Sequence, residues 1–175
     1  MSDKRIAWAI TGAGHNLNEC VGLLRKCERI DLFLSRAAEE VLSIYSLDSH
    51  LETAGMMIYR EVKASSPIVG RFFGGAYSVL VVAPATSNSV AKFVGGISDT
   101  LVTNLFAQAG KSRVPVVVFP TDLATEMNSV GPHRKQIKVF PRAIDLDNVE
   151  KLRTFSGVDV VADCAQLERC LAAYR

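Results

Sequence analysis

The segment Val79–Leu105 constrains this chain more than any other, because an unbroken apolar run, VLVVA, opens directly into a short polar loop and then a helical pattern. A run with no polar alternation fits a strand covered on both faces, which is the state of strands in a parallel sheet. Pro84 is expected to end that strand. The following residues, Ala85, Thr86, Ser87, Asn88 and Ser89, are small or hydrogen-bonding. Backbone and ligand can approach closely there, where unpaired amides open the next helix.

A second run of the same kind, Val114–Phe119 (VPVVVF), lies more than 25 residues downstream. Parallel pairing needs a crossover of that length, and such crossovers are right-handed. Before this pair, Arg5–Ile10 reads as a strand followed by the TGAGHNLNE loop and a helical spacing of Val21, Leu23, Leu24 and Ile30. Asp31–Ser35 is a further strand feeding a helix over Arg36–Tyr45, with Ser35 as N-cap. Met56–Val62 is a partly alternating strand candidate and Pro67–Phe73 a short helix. After Pro120 the chain reads as irregular until a strand at Lys138–Phe140. Asp147-x-x-Glu150 matches a capping box that would open a helix over Val149–Phe155, ended by Gly157. Val158–Val161 and Gln166–Tyr174 close the order as strand and helix. The fold class is therefore α/β: a single doubly wound parallel sheet, Rossmann-like or flavodoxin-like, flanked by helices and spanning residues 1–175 as one domain. Ligands of such sheets bind at the carboxyl ends of the strands, where four polar loops fall: Thr11–Asn16, Ser35–Arg36, Pro84–Ser89 and Pro120–Asp122.

Composition excludes several classes of function. With 49% hydrophobic and 22% charged residues and a net charge of +2, the chain suits a packed domain without a broad basic face. The densest basic cluster, His133-Arg134-Lys135 with Lys138, is small for a nucleic-acid footprint, so no nucleic-acid partner is expected. Apolar runs fall well short of the ~20 residues of a membrane span, and MSDKRIAWAIT is not a secretory leader. A cytoplasmic, membrane-free protein is expected. Cys20, Cys27, Cys164 and Cys170 match no zinc or iron–sulfur spacing and read as free thiols, so no metal site is expected.

In the first loop, Gly12 and Gly14 form GxG, but Leu17 stands where GxGxxG needs its third glycine. The loop is either a phosphate cradle, with the Thr11 hydroxyl and helix-start amides donating to an anion, or an ordinary glycine turn. Ser35-Arg36 replaces the acid that would bind a dinucleotide ribose, which favours a mononucleotide phosphate reached by Ser35 and Arg36. No essential side-chain acid is expected; the candidates for such a role are His15 in the glycine turn and Asp122 in a ligand-facing loop. No Ser/His/Asp order or HExxH supports hydrolysis.

Pro84-Ala85-Thr86-Ser87-Asn88-Ser89-Val90-Ala91-Lys92, followed by Gly95-Gly96-Ile97-Ser98-Asp99-Thr100-Leu101-Val102-Thr103, resembles the PAxxNTxAKxAxGIxDNLLT segment of the homo-oligomeric flavin-containing, cysteine-decarboxylase-like flavoproteins. The resemblance runs over roughly Arg5–Pro120. It implies FMN held at a subunit interface of trimers or larger closed assemblies of trimers. It also implies that Gly12, Gly14, Asn16 and Ser35 hold phosphate and ribitol, joined by His15 and Arg36 from the same loops. Ala85, Thr86 and Asn88 would lie along the isoalloxazine, with Ser98, Asp99 and Thr100 in the turn beside it. Neutral donors of this kind suit a flavin, which needs hydrogen bonds near N1, O2 and N5 as it is reduced. For Thr86 and Asn88 the alternative role is helix capping.

Departures from the family pattern bear on the chemistry. Pro67–Tyr77, PIVGRFFGGAY, lacks the histidine base of the cysteine decarboxylases, and PTDLATEMNSVG only echoes their PxMNxxMW clamp. The run from Gly70 through Asn104, with the DxDNVEKLR tail, is similar to the archaeoflavoprotein branch that includes dihydromethanopterin reductases. The resemblance therefore implies an FMN oxidoreductase acting on a dihydropterin, with NAD(P)H or a ferredoxin-like protein as electron donor. An electron carrier is the alternative, and a decarboxylase or prenyltransferase a third. The Phe72-Phe73 pair suits either a subunit contact or the core.

Overall fold

A computed structural model describes residues 4–51, 55–62, 67–132 and 135–174. Six strands form one parallel sheet: β1 (Arg5–Ile10), β2 (Ile30–Leu34), β3 (Met57–Arg60), β4 (Tyr77–Ala85), β5 (Val116–Pro120) and β8 (Val158–Val160). Their order across the sheet is β3-β2-β1-β4-β5-β8. The direction of winding reverses between β1 and β4, so their loops diverge and leave a crevice at the carboxyl edge. β6 (Met127–Val130) and β7 (Gln136–Val139) form a separate antiparallel pair.

Side chains alternate between two apolar layers, as strand geometry requires. Ile6, Trp8 and Ile10 face one layer with Leu17, Cys20 and Leu24 of α1 (Leu17–Leu24). The same layer takes in Leu42 of α2 (Arg36–Ile44) and Leu167 and Leu171 of α6 (Cys164–Ala172). Ala7 and Ala9 face the other layer. It holds Phe93 of α3 (Ser87–Gly95), Leu105 of α4 (Leu101–Lys111) and Leu152 of α5 (Ala143–Arg153). Small residues at 7 and 9 admit the Phe33, Tyr59 and Tyr77 cluster, in which Phe33 and Tyr59 stack at 5.1 Å.

At the amino edge of the sheet, Asp31 is fully buried yet satisfied. It accepts from Arg5 Nε at 2.6 Å, Arg71 at 2.8 Å and the Tyr77 hydroxyl at 2.8 Å. Tyr77 is correspondingly pushed well above the ordinary phenol range by burial and by the Asp31 contact. This knot joins β1, β2, β4 and the 3-10 turn Pro67–Phe72, and its three donors offset the desolvation of a charge in the core.

Several sequence expectations are corrected. Pro84 does not end β4; the strand runs to Ala85 through a register shift between Val82 and Ala85, and Ala85 pairs with Pro120. The Ala83–Pro84 peptide is cis. The stretch after Pro120 contains β6, whose MNSV sequence has too little apolar pattern to announce a strand. Helix α5 begins at Ala143, six residues before the expected start. Arg142 caps it, with its amide and guanidinium both bound by Asp145, so Asp147-x-x-Glu150 lies inside the helix. The Cys164 thiol of α6, with burial, pushes the Cys20 thiol of α1 up, and the Cys20 thiol pulls Cys164 down. In the basic cluster, His133 and Arg134 lie outside the described residues. Among the described residues no helix is long and apolar enough to cross a membrane.

Candidate functional site

The loops after β1, β2 and β4 surround a cleft of about 580 Å³ at the carboxyl edge of the sheet, within the usual range for small-molecule sites. Thr11 fixes its floor. The residue is 2% exposed, and its hydroxyl donates to the Pro84 carbonyl at 2.9 Å and accepts the Thr86 amide at 2.9 Å. Thr11 is therefore a tie between the two central loops and not an anion donor, which corrects the sequence expectation. Thr86 in turn caps α3, its oxygen accepting the Ser89 amide at 3.2 Å. Asn88 is left out of the capping, is exposed, and lines the cleft.

The glycines of the first loop also serve packing. Neither has a left-handed backbone; a Cβ on Gly12 would stand 2.6 Å from that of Ala37, and one on Gly14 would meet the Tyr45 hydroxyl. Both positions let α2 pack against the loop. The left-handed residue is Asn16 (φ 58°), at the start of α1, and its side chain makes no cap.

Ser35 caps α2 by accepting the Ala38 amide at 3.0 Å, and Arg36 beside it is exposed on the cleft rim. Thr100 and Thr103 form the capping box of α4. Lys92 reaches from α3 to both Asp99 oxygens at 2.8 and 2.9 Å and holds that carboxyl below the usual carboxylate range. Glu61, just past β3, passes unnoticed in the sequence. One of its oxygens accepts the Arg36 amide at 3.0 Å and the other the Leu101 amide at 2.7 Å, bridging the starts of α2 and α4.

A second cavity of about 280 Å³ lies on the other side of Thr86 and Ser87, which line both. His15, Tyr45 and Asp122 border it, and the β6–β7 hairpin closes it with Met127, Ser129, Ile137 and Val139. The hairpin is held by the Tyr45 hydroxyl donating to Val130 O at 3.1 Å and by His15 Nδ1 lying 3.1 Å from Ser129 Oγ. Burial pushes the His15 imidazole down, against the pull of Glu19 and Asp122.

The structure thus gathers Gly12, Ser35, Arg36, Thr86, Asn88, Asp99 and Thr100 around the larger cleft, and Gly14, His15, Thr86 and Asp122 around the smaller. Ala85 is buried behind the wall, where its carbonyl accepts from Thr121. Ser98 is exposed outside both cavities, its carbonyl accepting from Asn104; Asn16 borders neither.

The flavoprotein family model matches residues 1–175. The chain belongs to the flavoprotein family. It is 44% identical over 154 residues to a dihydromethanopterin reductase (acceptor) of Methanosarcina mazei, covering 79% of this chain and 64% of that relative. An uncharacterised protein of Methanocaldococcus jannaschii is 37% identical, covering 95% of this chain and 94% of its own length. Among solved structures, Burkholderia xenovorans DmrB in complex with FMN, described as a cubic protein cage for redox transfer, superposes with a TM-score of 0.89 at 42% identity. That match covers 98% of this flavoprotein and 95% of DmrB.

Proposed function

We propose that residues 1–175 form an FMN-binding oxidoreductase unit that reduces a dihydropterin, converting dihydromethanopterin to tetrahydromethanopterin. The observation that carries this reading is the pair of cavities sharing Thr86 and Ser87 at the winding reversal, in a chain 42% identical to FMN-bound DmrB over nearly its whole length. The donor set suits FMN: hydroxyls and helix-start amides, with Arg36 the one cationic side chain among the described lining residues not committed to a carboxylate, and a volume adequate for a mononucleotide.

In this reading Ser35, Arg36 and Gly12 hold phosphate and ribitol, while Gly14 and His15 of the same loop face the smaller cavity and Asn16 borders neither. Thr86 and Asn88 lie along the ring, Ala85 sets the backbone behind it, and Ser98, Asp99 and Thr100 shape the neighbouring turn. When bound, FMN supplies hydride chemistry. The chain supplies position: the Thr11 tie fixes the Thr86 wall, and the hairpin forms one wall of the smaller cavity. His15 and Asp122 border that cavity and are the candidates for a side-chain role toward a bound pterin.

We also infer a homo-oligomer built on trimers, extending to a closed cage like that described for DmrB. Phe72 is core, but Phe73 is 63% exposed, and Phe140 and Ile144 are 64% and 59% exposed, leaving apolar surface for subunit contacts. NAD(P)H or a ferredoxin-like protein would supply the electrons. The deciding experiment is purification, chromatography of the heat-released cofactor, and a steady-state assay with dihydromethanopterin. FMN release with pterin reduction supports the reading. FAD, or a flavin that passes electrons to protein acceptors and leaves the pterin untouched, overturns it.

A further inference from the structure

The cleft assigned above to FMN carries two cationic side chains, Arg36 and Lys92, and three carboxylates, Glu40, Glu61 and Asp99. Lys92 is committed to Asp99 by two contacts under 3 Å. A phosphate dianion entering this space depends on Arg36, on hydroxyls and on helix-start amides, since the positive end of each helix dipole lies there. The α2 cap already uses the Ser35 oxygen for the Ala38 amide. The first amide of α2, Arg36 N–H, and the first of α4, Leu101 N–H, are both taken by Glu61.

A carboxylate placed in this way satisfies two amides that would otherwise be unpaired, and it spends two anion-binding positions on the protein itself. It comes from the β3 end, 25 residues from Arg36 and 40 from Leu101, so it is a tertiary contact and not a local cap. Val62, the next residue, is 80% exposed, and the chain here leaves β3 for the surface, so swinging the Glu61 side chain away disturbs no packed core.

We propose that Glu61 is a built-in competitor for the phosphate of the flavin: it holds the starts of α2 and α4 together when the cleft is empty, and it sets how strongly the protein prefers a phosphorylated flavin over one without phosphate. The proposal rests on the reading that FMN places its phosphate in this cleft. Entry of the phosphate either displaces the Glu61 carboxylate from the two amides or brings two anions together across a few ångströms. Both routes lower phosphate affinity, and neither touches the isoalloxazine. Glu61 therefore acts on the FMN-to-riboflavin ratio and not on flavin binding in general.

The test measures dissociation constants of FMN and of riboflavin by flavin fluorescence for the full-length protein stripped of flavin, and for Glu61→Gln and Glu61→Ala. Removing a like charge beside the phosphate should raise the FMN-over-riboflavin preference about tenfold with riboflavin affinity close to the parent value, while the melting temperature falls more in Glu61→Ala, which leaves both amides without their acceptor, than in Glu61→Gln. An unchanged or reduced preference in both variants overturns the proposal. So does a matched loss of riboflavin and FMN affinity in both, which would make Glu61 a structural tie alone. The parent protein reports separately on the underlying reading: if it binds FMN no more tightly than riboflavin, the phosphate is not in this cleft, and the cofactor assignment fails before any variant is compared.

Discussion

Replacing Thr11 by valine removes one hydroxyl and no volume, and the structure allows its cost to be worked out. The hydroxyl donates to Pro84 O and accepts from Thr86 N, both at 2.9 Å, in a site 2% exposed. Pro84 O keeps a second donor, the Thr11 amide at 3.3 Å, so the carbonyl stays satisfied and loses a net bond worth ~1 kcal/mol. The Thr86 amide has no such reserve and would be left unpaired in a partly buried wall, at a further ~1–2 kcal/mol. The sum, about 2–3 kcal/mol, corresponds to a melting temperature lower by roughly 4–12 °C for a chain of this size. Because Thr86 caps α3 and separates the two cavities, the same change should weaken FMN at least several-fold. Thermal unfolding with and without FMN, alongside flavin titration, measures both effects. Thr11→Ser keeps the hydroxyl and should stay near the parent on both. A valine variant with unchanged melting and unchanged FMN affinity would refute the idea that this tie builds the site.

Asn88→Asp should weaken FMN or lower its reduction potential by about 1 kcal/mol, a value discounted for the exposure of the side chain; unchanged affinity and potential would remove Asn88 from the ring contacts. Asp31→Asn should destabilise the fold by ~2–3 kcal/mol in denaturant titration, below the usual cost of breaking a buried pair because Arg5 and Arg71 are 23% and 38% exposed. Flavin affinity of the folded fraction should not change, since the knot lies at the edge opposite the site. His15 has its pKa depressed in the folded state, so its contribution to stability is present above the ordinary imidazole value of 6.5 and is lost as pH falls below it toward the folded value. His15→Asn should flatten that acid-side slope, and identical pH profiles for the two proteins would contradict the burial argument.

The layers of the fold are legible because VLVVA and VVVF are short, valine-rich and bounded by proline, which favours a strand covered on both faces, and because Ser35 is a cap by its own chemistry. What stays hidden depends on contacts between distant residues. Pro84 reads as a stop, yet the strand's end is set by pairing of Ala85 with Pro120 on the neighbouring strand. Arg142 is a poor cap by type and works only because Asp145 binds both its amide and its guanidinium. MNSV becomes a strand by pairing with Gln136–Val139, and the smaller cavity it closes has no signature in either segment alone. Glu61 is an ordinary carboxylate after a weak strand until α2 and α4 bring their first amides to it. The polar residues of the 84–100 segment, by contrast, were readable as a set, though their division of labour was not: Thr86 caps, Asn88 is free, Ser98 faces away.

Thr86 and Ser87 line both cavities, so this turn of chain is a shared wall of the compartment read as the cofactor's and the one read as the substrate's. Any drift of that wall trades volume from one compartment to the other. Selection for a bulkier second reactant would therefore run against cofactor retention, and variants recovered from such a selection should be paler as purified. Adaptation to new substrates has an easier course through Met127, Ile137 and Val139, because the hairpin that carries them borders one compartment and leaves the other untouched.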